Sequence, residues 1–483
     1  MDIRRILLVR TFRPVGTGGP VPPLGLLYIA AAIRRARADC EVQLLDAGNE
    51  DLAAADVRRR IEAWHPDVVG LSTMTCEEEL MREIARGAKD ADPALRVIVG
   101  GPHTNTAGER VLDCPYIDAA VIQEGEETII ELLEALEEKR PLDSVRGIAY
   151  RREDGTGALT APRPPIEVLD SVPFPAWDLI DIPSYSRHRN WNGTLKRSFY
   201  APLCTSRGCP YACTFCHNIF GKTVRRRSPE RVVAEMRDLY DRLDCREFHV
   251  VDDIFNVDAA RAADICRRII DSGMDISLSF PNGLRADIMT DELLALLKKA
   301  GTYKINYGFE TATPRLQKTI KKNVDIPKAR EVFRKTSRAG IITGAYFMLG
   351  IPTETRAEMR DTIRFAATSE LDFAAFFKST AYPGTAIYEA VRGEAAAEPE
   401  PGGYDDMHFF SVGRSMAEVP PEELNALILE AQRRFFFQPR RMLRGLRKAP
   451  RKMPHLRGLL EAAILSLQGY LAQELKSGPA PEA

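Results

Sequence analysis

The sequence predicts an α/β chain of two successive units, a Rossmann-like parallel sheet and then a partial (β/α)6 barrel, followed by a helical C-terminal segment. Three observations predict this. The chain has 483 residues, more than one compact core organises. Short apolar runs alternate with helix-periodic stretches twice over, the pattern of parallel sheets covered by helices. A proline-rich stretch separates the two series.

In the first unit, residues 1–140, strand-like runs fall at 5–9, 41–45, 67–71, 95–99 and 119–122. Helix-periodic stretches at 26–37, 53–64, 77–91 and 126–138 separate them. Ligands of such sheets sit at the carboxyl ends of the strands. Residues 141–195, with APRPP and PFPAW, read as an irregular linker packing across both units. The barrel, 196–393, has strands near 199–204, 246–251, 275–280, 303–308, 341–348 and 373–379. Its helices lie at 228–243, 258–272, 290–300, 325–339 and 355–369, and its active face is the carboxyl end of the strands. Residues 394–483 open on a break rich in Ala, Glu, Pro and Gly and then turn helical.

Composition narrows the function. Apolar residues make up 45%, charged residues 28%, and the formal net charge is −1. That balance excludes a general nucleic-acid binder, which carries a basic excess. The longest apolar runs fall short of the roughly 18 residues that span a bilayer. The start, MDIRRILLVRTF, reads as a strand of a cytoplasmic protein rather than a signal peptide. Nine cysteines, an odd number, do not suggest a disulfide framework. Cys40, Cys76, Cys114, Cys204, Cys245 and Cys266 are scattered and read as small buried apolar residues.

The other three, Cys209, Cys213 and Cys216, lie within eight residues after a strand, in C-x3-C-x2-C spacing. Clustered thiolates suit iron–sulfur clusters or zinc. Structural zinc sites recruit two ligand pairs; here only Cys204 or His217 is at hand to complete one. Three thiolates on a four-iron cluster leave one iron open, as catalytic metal sites require.

The segment TSRGCPYACTFC (205–216) resembles the signature of radical S-adenosylmethionine enzymes. The resemblance implies a [4Fe–4S] cluster on Cys209, Cys213 and Cys216 whose open iron is chelated by S-adenosylmethionine. One-electron reduction then gives methionine and a 5′-deoxyadenosyl radical. It also implies a reductant such as flavodoxin or ferredoxin. Later segments resemble the same family in order: VVDDIF (250–255), PNGLRAD (281–287), YGFET (307–311) and FMLGIPTET (347–355). The resemblance makes Glu310, Arg285, Asn282 and Asp252 the expected S-adenosylmethionine contacts. A buried carboxylate accepts from the ammonium group and an Arg pairs with the carboxylate. Whether Asp252 or Asp253 points inward stays open.

The first unit lacks G-x-G-x-x-G. Its segments PPLGLLYIAAAI (22–33), GLSTMT (70–75), VGGPHTN (99–105) and EGEET (124–128) together resemble the cobalamin-binding domains fused to radical S-adenosylmethionine barrels. That resemblance spans roughly residues 1–390. It implies a cobalamin cradle from Ser72, Thr73, Gly100, Gly101, His103, Glu124 and Gly125. Many such domains place Asp-x-His-x-x-Gly after the first strand, with His beneath cobalt. Here Thr11-Phe-Arg13-Pro-Val-Gly16 stands there, and Arg is no neutral nitrogen ligand. Arg13 is therefore expected beneath a cobalamin without a protein His.

The expected function is methylation of an unactivated carbon in a small molecule, lipid or peptide. Ring formation with the same cofactors is one alternative, and a non-enzymatic cobalamin or iron–sulfur sensor is another. Eight basic residues between Arg440 and Arg457, mixed with apolar ones, suggest peripheral membrane contact.

Overall fold

The computed structural model describes residues 2–12, 19–152, 154–188, 195–217, 219–392 and 415–452. In the first unit β1 (Arg5–Arg10), α1 (Leu24–Ala36), β2 (Glu41–Asp46), α2 (Ala54–Trp64), β3 (Val68–Ser72), α3 (Glu78–Ala91), β4 (Arg96–Gly100), α4 (Pro102–Ala107), β5 (Ala119–Val121) and α5 (Thr128–Glu138) follow in order. Five strands pair in parallel, in the order β2-β1-β3-β4-β5. Both faces are covered, so the strands carry buried apolar residues on both sides. Leu7 and Val9 pack against α2 and α3, while Ile6 and Leu8 pack against α1 and α5.

The described part of residues 141–195 carries strands where the sequence predicts an irregular linker. β6 (Ile148–Arg151) and β7 (Gly157–Leu159) form an antiparallel hairpin that extends the first sheet beyond β5. The chain then crosses to the barrel, where Trp177 is 1% exposed in the barrel's own core cluster. The Ala176 amide donates to the Leu27 carbonyl of α1 at 3.1 Å.

The second unit runs β8 (Ala201–Leu203), β9 (Ser206–Arg207), β10 (Arg225–Arg226), α6 (Pro229–Leu243), β11 (Glu247–Val250), α7 (Ala259–Asp271), β12 (Ser277–Leu284), α8 (Asp291–Lys299), β13 (Thr302–Glu310), α9 (Pro314–Thr319), α10 (Ile326–Arg338), β14 (Ile342–Leu349), α11 (Arg356–Thr368), β15 (Phe373–Lys378) and α12 (Ala386–Arg392). Six strands form an open parallel sheet in the order β15-β14-β13-β12-β11-β8, and β9 and β10 pair as a separate antiparallel ribbon. Side-chain N-caps from Ser228, Asp258, Thr290, Asp325 and Thr355 start α6, α7, α8, α10 and α11. Each satisfies an amide that the first helical turn leaves unpaired. β12 and β13 run past their expected ends and carry register shifts between Phe280 and Leu284 and between Gly308 and Glu310. The irregularity falls at the mouth of the barrel, where side chains are re-aimed.

α13 (Pro421–Phe436) and α14 (Pro439–Lys448) close the β15 side. Leu424, Leu427, Ala431 and Phe435 of α13 join the barrel core. Three of the eight basic residues between Arg440 and Arg457 are turned inward. Arg441 is buried and donates to the carbonyls of Leu371, Ala367 and Ser369 at 2.9, 2.8 and 3.1 Å. Arg444 and Lys448 pair with Asp372 at 2.6 and 2.7 Å. These cations satisfy the carboxyl end of α11 and the start of β15 instead of facing outward. Phe437, Met442 and Leu443 are exposed, beside Arg440 and Arg447. No described helix is long and apolar enough to cross a membrane.

Candidate active site

The cysteine loop starts from a clasp. Asp252, just past β11, accepts from the Thr205 amide, the Thr205 hydroxyl and the Ser206 hydroxyl, each at 2.6 Å. Asp253 accepts from the Gly208 amide at 2.9 Å. Gly208 has φ +93°, and a Cβ there would stand 2.3 Å from the Thr223 carbonyl oxygen, so only glycine fits. The Cys209 amide donates to the Gly221 carbonyl at 3.2 Å and the Thr214 amide to the Ile320 carbonyl at 3.0 Å, tying the loop to the barrel mouth.

Three thiols sit on this loop: Cys209 and Cys213 half-buried and Cys216 exposed at its surface. Although part of Cys216 reaches the surface, the protein packed around its sulfur and the neighbouring Cys213 push the thiol up to about 11, with Lys322 pulling the other way. Cys213 is raised by burial, and its charge is felt by Lys322, Glu310 and Arg285. Among the described residues, no three His, Cys, Asp or Glu side chains are gathered as for a single metal ion. Cys204 lies apart, its Sγ directed at the Ser206 carbonyl at 3.4 Å, and burial raises it to about 12. The donor set on the loop is therefore three thiols, which fits an iron–sulfur cluster held by one segment.

Facing the thiols, Glu310 is buried at φ +74° with Oε1 3.4 Å from Lys322 Nζ. Burial raises its carboxyl, and Lys322 opposes the rise. A Cβ on Gly308 would lie 3.0 Å from that Nζ, so a glycine makes room for the pair. Arg285 is held by Asp287 at 2.8 and 3.0 Å and by the Asn323 carbonyl at 3.0 Å, with Tyr211 of the cysteine loop 4.0 Å from its guanidinium. Its Nη1 is buried and has no protein partner. The exposed Asn282 amide donates to the Val251 carbonyl at 2.6 Å.

Beside this mouth, a cavity of about 430 Å³ opens at the carboxyl edge of the first sheet. Ser72, Gly100, Gly101, Glu124 and Gly125 line it on one side; Cys204, Arg207, Phe220 and Val251 of the second unit line it on the other. A Cβ at Gly100 would approach only Val121, at 4.0 Å, so any side chain there would project into the open cavity. Gly101 at φ +95° would bring a Cβ within 3.0 Å of the Thr73 amide nitrogen and carbonyl oxygen. This glycine-floored, largely apolar cradle fits a large flat cofactor with a tail.

Comparison with known proteins decides the family. The B12 binding domain family matches residues 15–133, and the Radical SAM superfamily matches residues 203–366. An uncharacterized methyltransferase of Pyrococcus horikoshii is 34% identical over 398 residues, 80% of this chain and 83% of the relative. The chain belongs to the B12-binding radical SAM family. Its cofactors are a [4Fe–4S] cluster, S-adenosylmethionine and cobalamin. An anaerobic magnesium-protoporphyrin IX monomethyl ester cyclase of Rubrivivax gelatinosus is 27% identical over 454 residues, 93% of this chain and 80% of the relative. The solved radical SAM methyltransferase TsrM from Kitasatospora setae, with cobalamin and a [4Fe–4S] cluster bound, shares the fold. The match has a TM-score of 0.73 at 19% identity and covers 97% of this chain and 100% of that one.

Within this radical SAM enzyme several expected contacts are re-sited. Asp252 is spent on the Thr205–Ser206 clasp, and Asp253 is the carboxylate whose charge reaches Cys216. Glu124 lines the cavity, but its oxygens are taken by Arg207, Arg225 and the Ile166 amide. Burial alone would raise its carboxyl; the bonds from Arg225 and Arg207 outweigh that and hold it below its ordinary range. His103 turns away from the cavity toward Glu78, Arg82 and Arg110 of the helical layer, and burial lowers it to about 4. Asn105, two residues on, lines the cavity instead. The Thr73 hydroxyl accepts from Thr11 at 3.3 Å behind the cavity wall. Arg13 lies outside the described residues. Sequence reasoning missed Lys322 and the arginines at the ends of the cysteine loop. Their basic character was visible in KTIKKN and KTVRRR, but which carboxylates they meet depends on the fold.

Proposed function

We propose that this enzyme transfers a methyl group to an unactivated carbon of a small-molecule, lipid or peptide substrate. One observation carries the reading: the cavity at the edge of the first sheet is walled by the segment that leads into the three cysteines. When bound, the cluster with S-adenosylmethionine supplies a hydrogen-abstracting 5′-deoxyadenosyl radical, and cobalamin supplies the methyl group. Cys209, Cys213 and Cys216 would hold the cluster. Glu310 would accept from the ammonium group of S-adenosylmethionine, and Arg285 Nη1 would donate to its carboxylate. Gly100 and Gly101 would admit the cobalamin tail. Leu8, Leu24, Ile29 and Ile98 keep the cavity apolar and exclude water from reactive intermediates.

The electron comes from a small reductant such as flavodoxin or ferredoxin, in a cytoplasmic setting. Exposed Phe437, Met442 and Leu443 beside Arg440 and Arg447 support contact with an anionic lipid surface; co-sedimentation of the full chain with anionic vesicles tests it.

Anaerobic incubation with S-adenosylmethionine, reductant and candidate substrates tests the reaction. One S-adenosylhomocysteine and one 5′-deoxyadenosine per methylated product are expected. 5′-Deoxyadenosine with a cyclised product and no S-adenosylhomocysteine would instead identify a ring-forming enzyme. Intact S-adenosylmethionine under all conditions would identify a sensor.

A further inference from the structure

The loop that carries the three cysteines is a hairpin, and one arginine at each of its ends is buried against the first unit. β9 and β10 bracket residues 208–224, and their register sets Arg207 opposite Arg225. Like charges directly opposite on paired strands repel. Here carboxylates of the first unit, from the EGEET segment after β5, lie between them. Glu124 Oε1 takes Arg207 Nη1 at 3.0 Å, Glu124 Oε2 takes Arg225 Nη1 at 2.7 Å, and Glu126 pairs with Arg207 Nη2. The four side chains are 7–8% exposed. The Arg207 guanidinium also lies between two rings, Tyr28 of α1 at 5.4 Å and Phe220 of the cysteine loop at 5.3 Å. Two carboxylates and two rings leave it no second orientation.

A buried ion network is a poor source of stability, because desolvating the charges offsets their attraction and apolar packing does as well. Such a network does fix geometry: two forked guanidinium groups meeting two carboxylates allow one register. Arg207 lies two residues before Cys209, and Arg207, Glu124, Glu126 and Phe220 all line the cavity.

We propose that Arg207, with Arg225, is a positioning residue that clamps both ends of the cysteine loop to Glu124 and Glu126 and so fixes the separation between the cluster and cobalamin. The proposal rests on the reading that cobalamin occupies the cavity. A methyl donor and a radical centre need near-contact placement, and a misplacement of 1 Å costs about 100-fold in rate. A rigid clamp between the units serves that need.

Full-length Arg207→Met, Arg207→Lys and Glu126→Gln chains, loaded with cluster and cobalamin, provide the test. Iron and cobalamin contents are measured first. The distance distribution between cobalt(II) and the reduced cluster is then read by pulsed dipolar electron paramagnetic resonance. Expected are parental contents of both cofactors, a broadened distribution in Arg207→Met, and a partial return toward the parent in Arg207→Lys. Should Arg207→Met fail to fold, Glu126→Gln removes one carboxylate partner at constant volume and is read the same way. A parental distribution with both cofactors present overturns the proposal. Loss of cobalamin with iron retained also overturns it, because Arg207 would then hold the cofactor rather than the geometry. A parent chain showing no cobalamin absorbance overturns both this proposal and the cobalamin reading beneath it, and that result is visible before any variant is made.

Discussion

Glu354 gives a pH dependence that the structure fixes in sign and size. It is fully buried at the carboxyl end of β14, where Oε2 accepts from the Gly350 and Ile351 amides at 2.7 and 3.0 Å while Oε1 is buried without a partner. Burial pushes its carboxyl from 4.5 up to about 8, against the two amide bonds that favour the anion. A raised acid is protonated in the folded chain and ionised in the unfolded one between those two values. Folding then takes up a proton, and stability falls as pH rises from about 4.5 through about 8. At about 1.4 kcal/mol per pH unit over roughly three and a half pH units, the loss reaches about 5 kcal/mol. Glu354→Gln keeps both accepted bonds and removes the ionisation. Thermal melting of parent and variant from pH 4 to pH 9 should give curves that meet at the acid end, near the ordinary carboxyl value of 4.5, and a more stable variant at the alkaline end. For 483 residues melting together the gap should be about 1 °C per kcal/mol. Parallel melting curves across that range would refute the reasoning.

Other expectations follow from the same geometry. Cys209→Ala, Cys213→Ala or Cys216→Ala should each abolish S-adenosylmethionine cleavage and lower bound iron, measured by iron content and 5′-deoxyadenosine yield. Cys204→Ala should leave both intact. Asp252→Ala removes three 2.6 Å bonds from the start of the cysteine loop and should cost about 3 kcal/mol or more, read as a lower melting temperature with loss of iron. Gly100→Leu should keep iron and secondary structure while abolishing cobalamin uptake, followed by its absorbance. Arg441→Met strips donors from buried carbonyls and should cost about 3 kcal/mol, whereas Arg440→Ala at the exposed neighbouring position should stay within about 0.5 kcal/mol.

The parallel strands were legible because continuous apolar runs such as RILLV and RVIVG serve sheets buried on both faces. The cysteine spacing was legible because one short segment carries all three thiols. What was not legible depends on contacts far apart in sequence. The hairpin of β6 and β7 is short and mixed in polarity, and β5 supplies the edge that makes it a strand pair. Asp252 and Asp253 alternate along one chain, so a single residue of register decides which meets Thr205 and which meets Gly208. His103 and Arg441 look like surface or cofactor groups from composition alone. Their burial follows from how the chain brings His103 beside Glu78 and Arg82 of α3 and how α14 sits against α11 and the start of β15. The charged pairs of the cysteine loop join residues some eighty to a hundred positions apart, beyond any local pattern.

The same dependence shapes the barrel mouth. Glu310, Lys321 and Asn323 are non-glycine residues at φ +74°, +52° and +51°, a conformation that costs energy unless the surroundings impose it. Gln317, 2% exposed on α9, imposes it. Its Nε2 donates to the Phe309 and Thr311 carbonyls at 2.8 and 2.7 Å, and its Oε1 accepts from the Val324 amide at 3.1 Å. Its carbonyl accepts from the Lys322 and Asn323 amides at 3.0 and 3.2 Å. One side chain thus staples the end of β13 to the loop after α9. That staple turns Lys322 toward Glu310 and presents the Asn323 carbonyl to Arg285. Placement of the groups facing the cysteines is therefore set by a buried glutamine of α9; Leu316 of that helix and Ile320 just after it belong to the apolar cluster against which Phe215 of the cysteine loop packs. The regular strands beneath the mouth supply the rigidity against which that strained backbone is held.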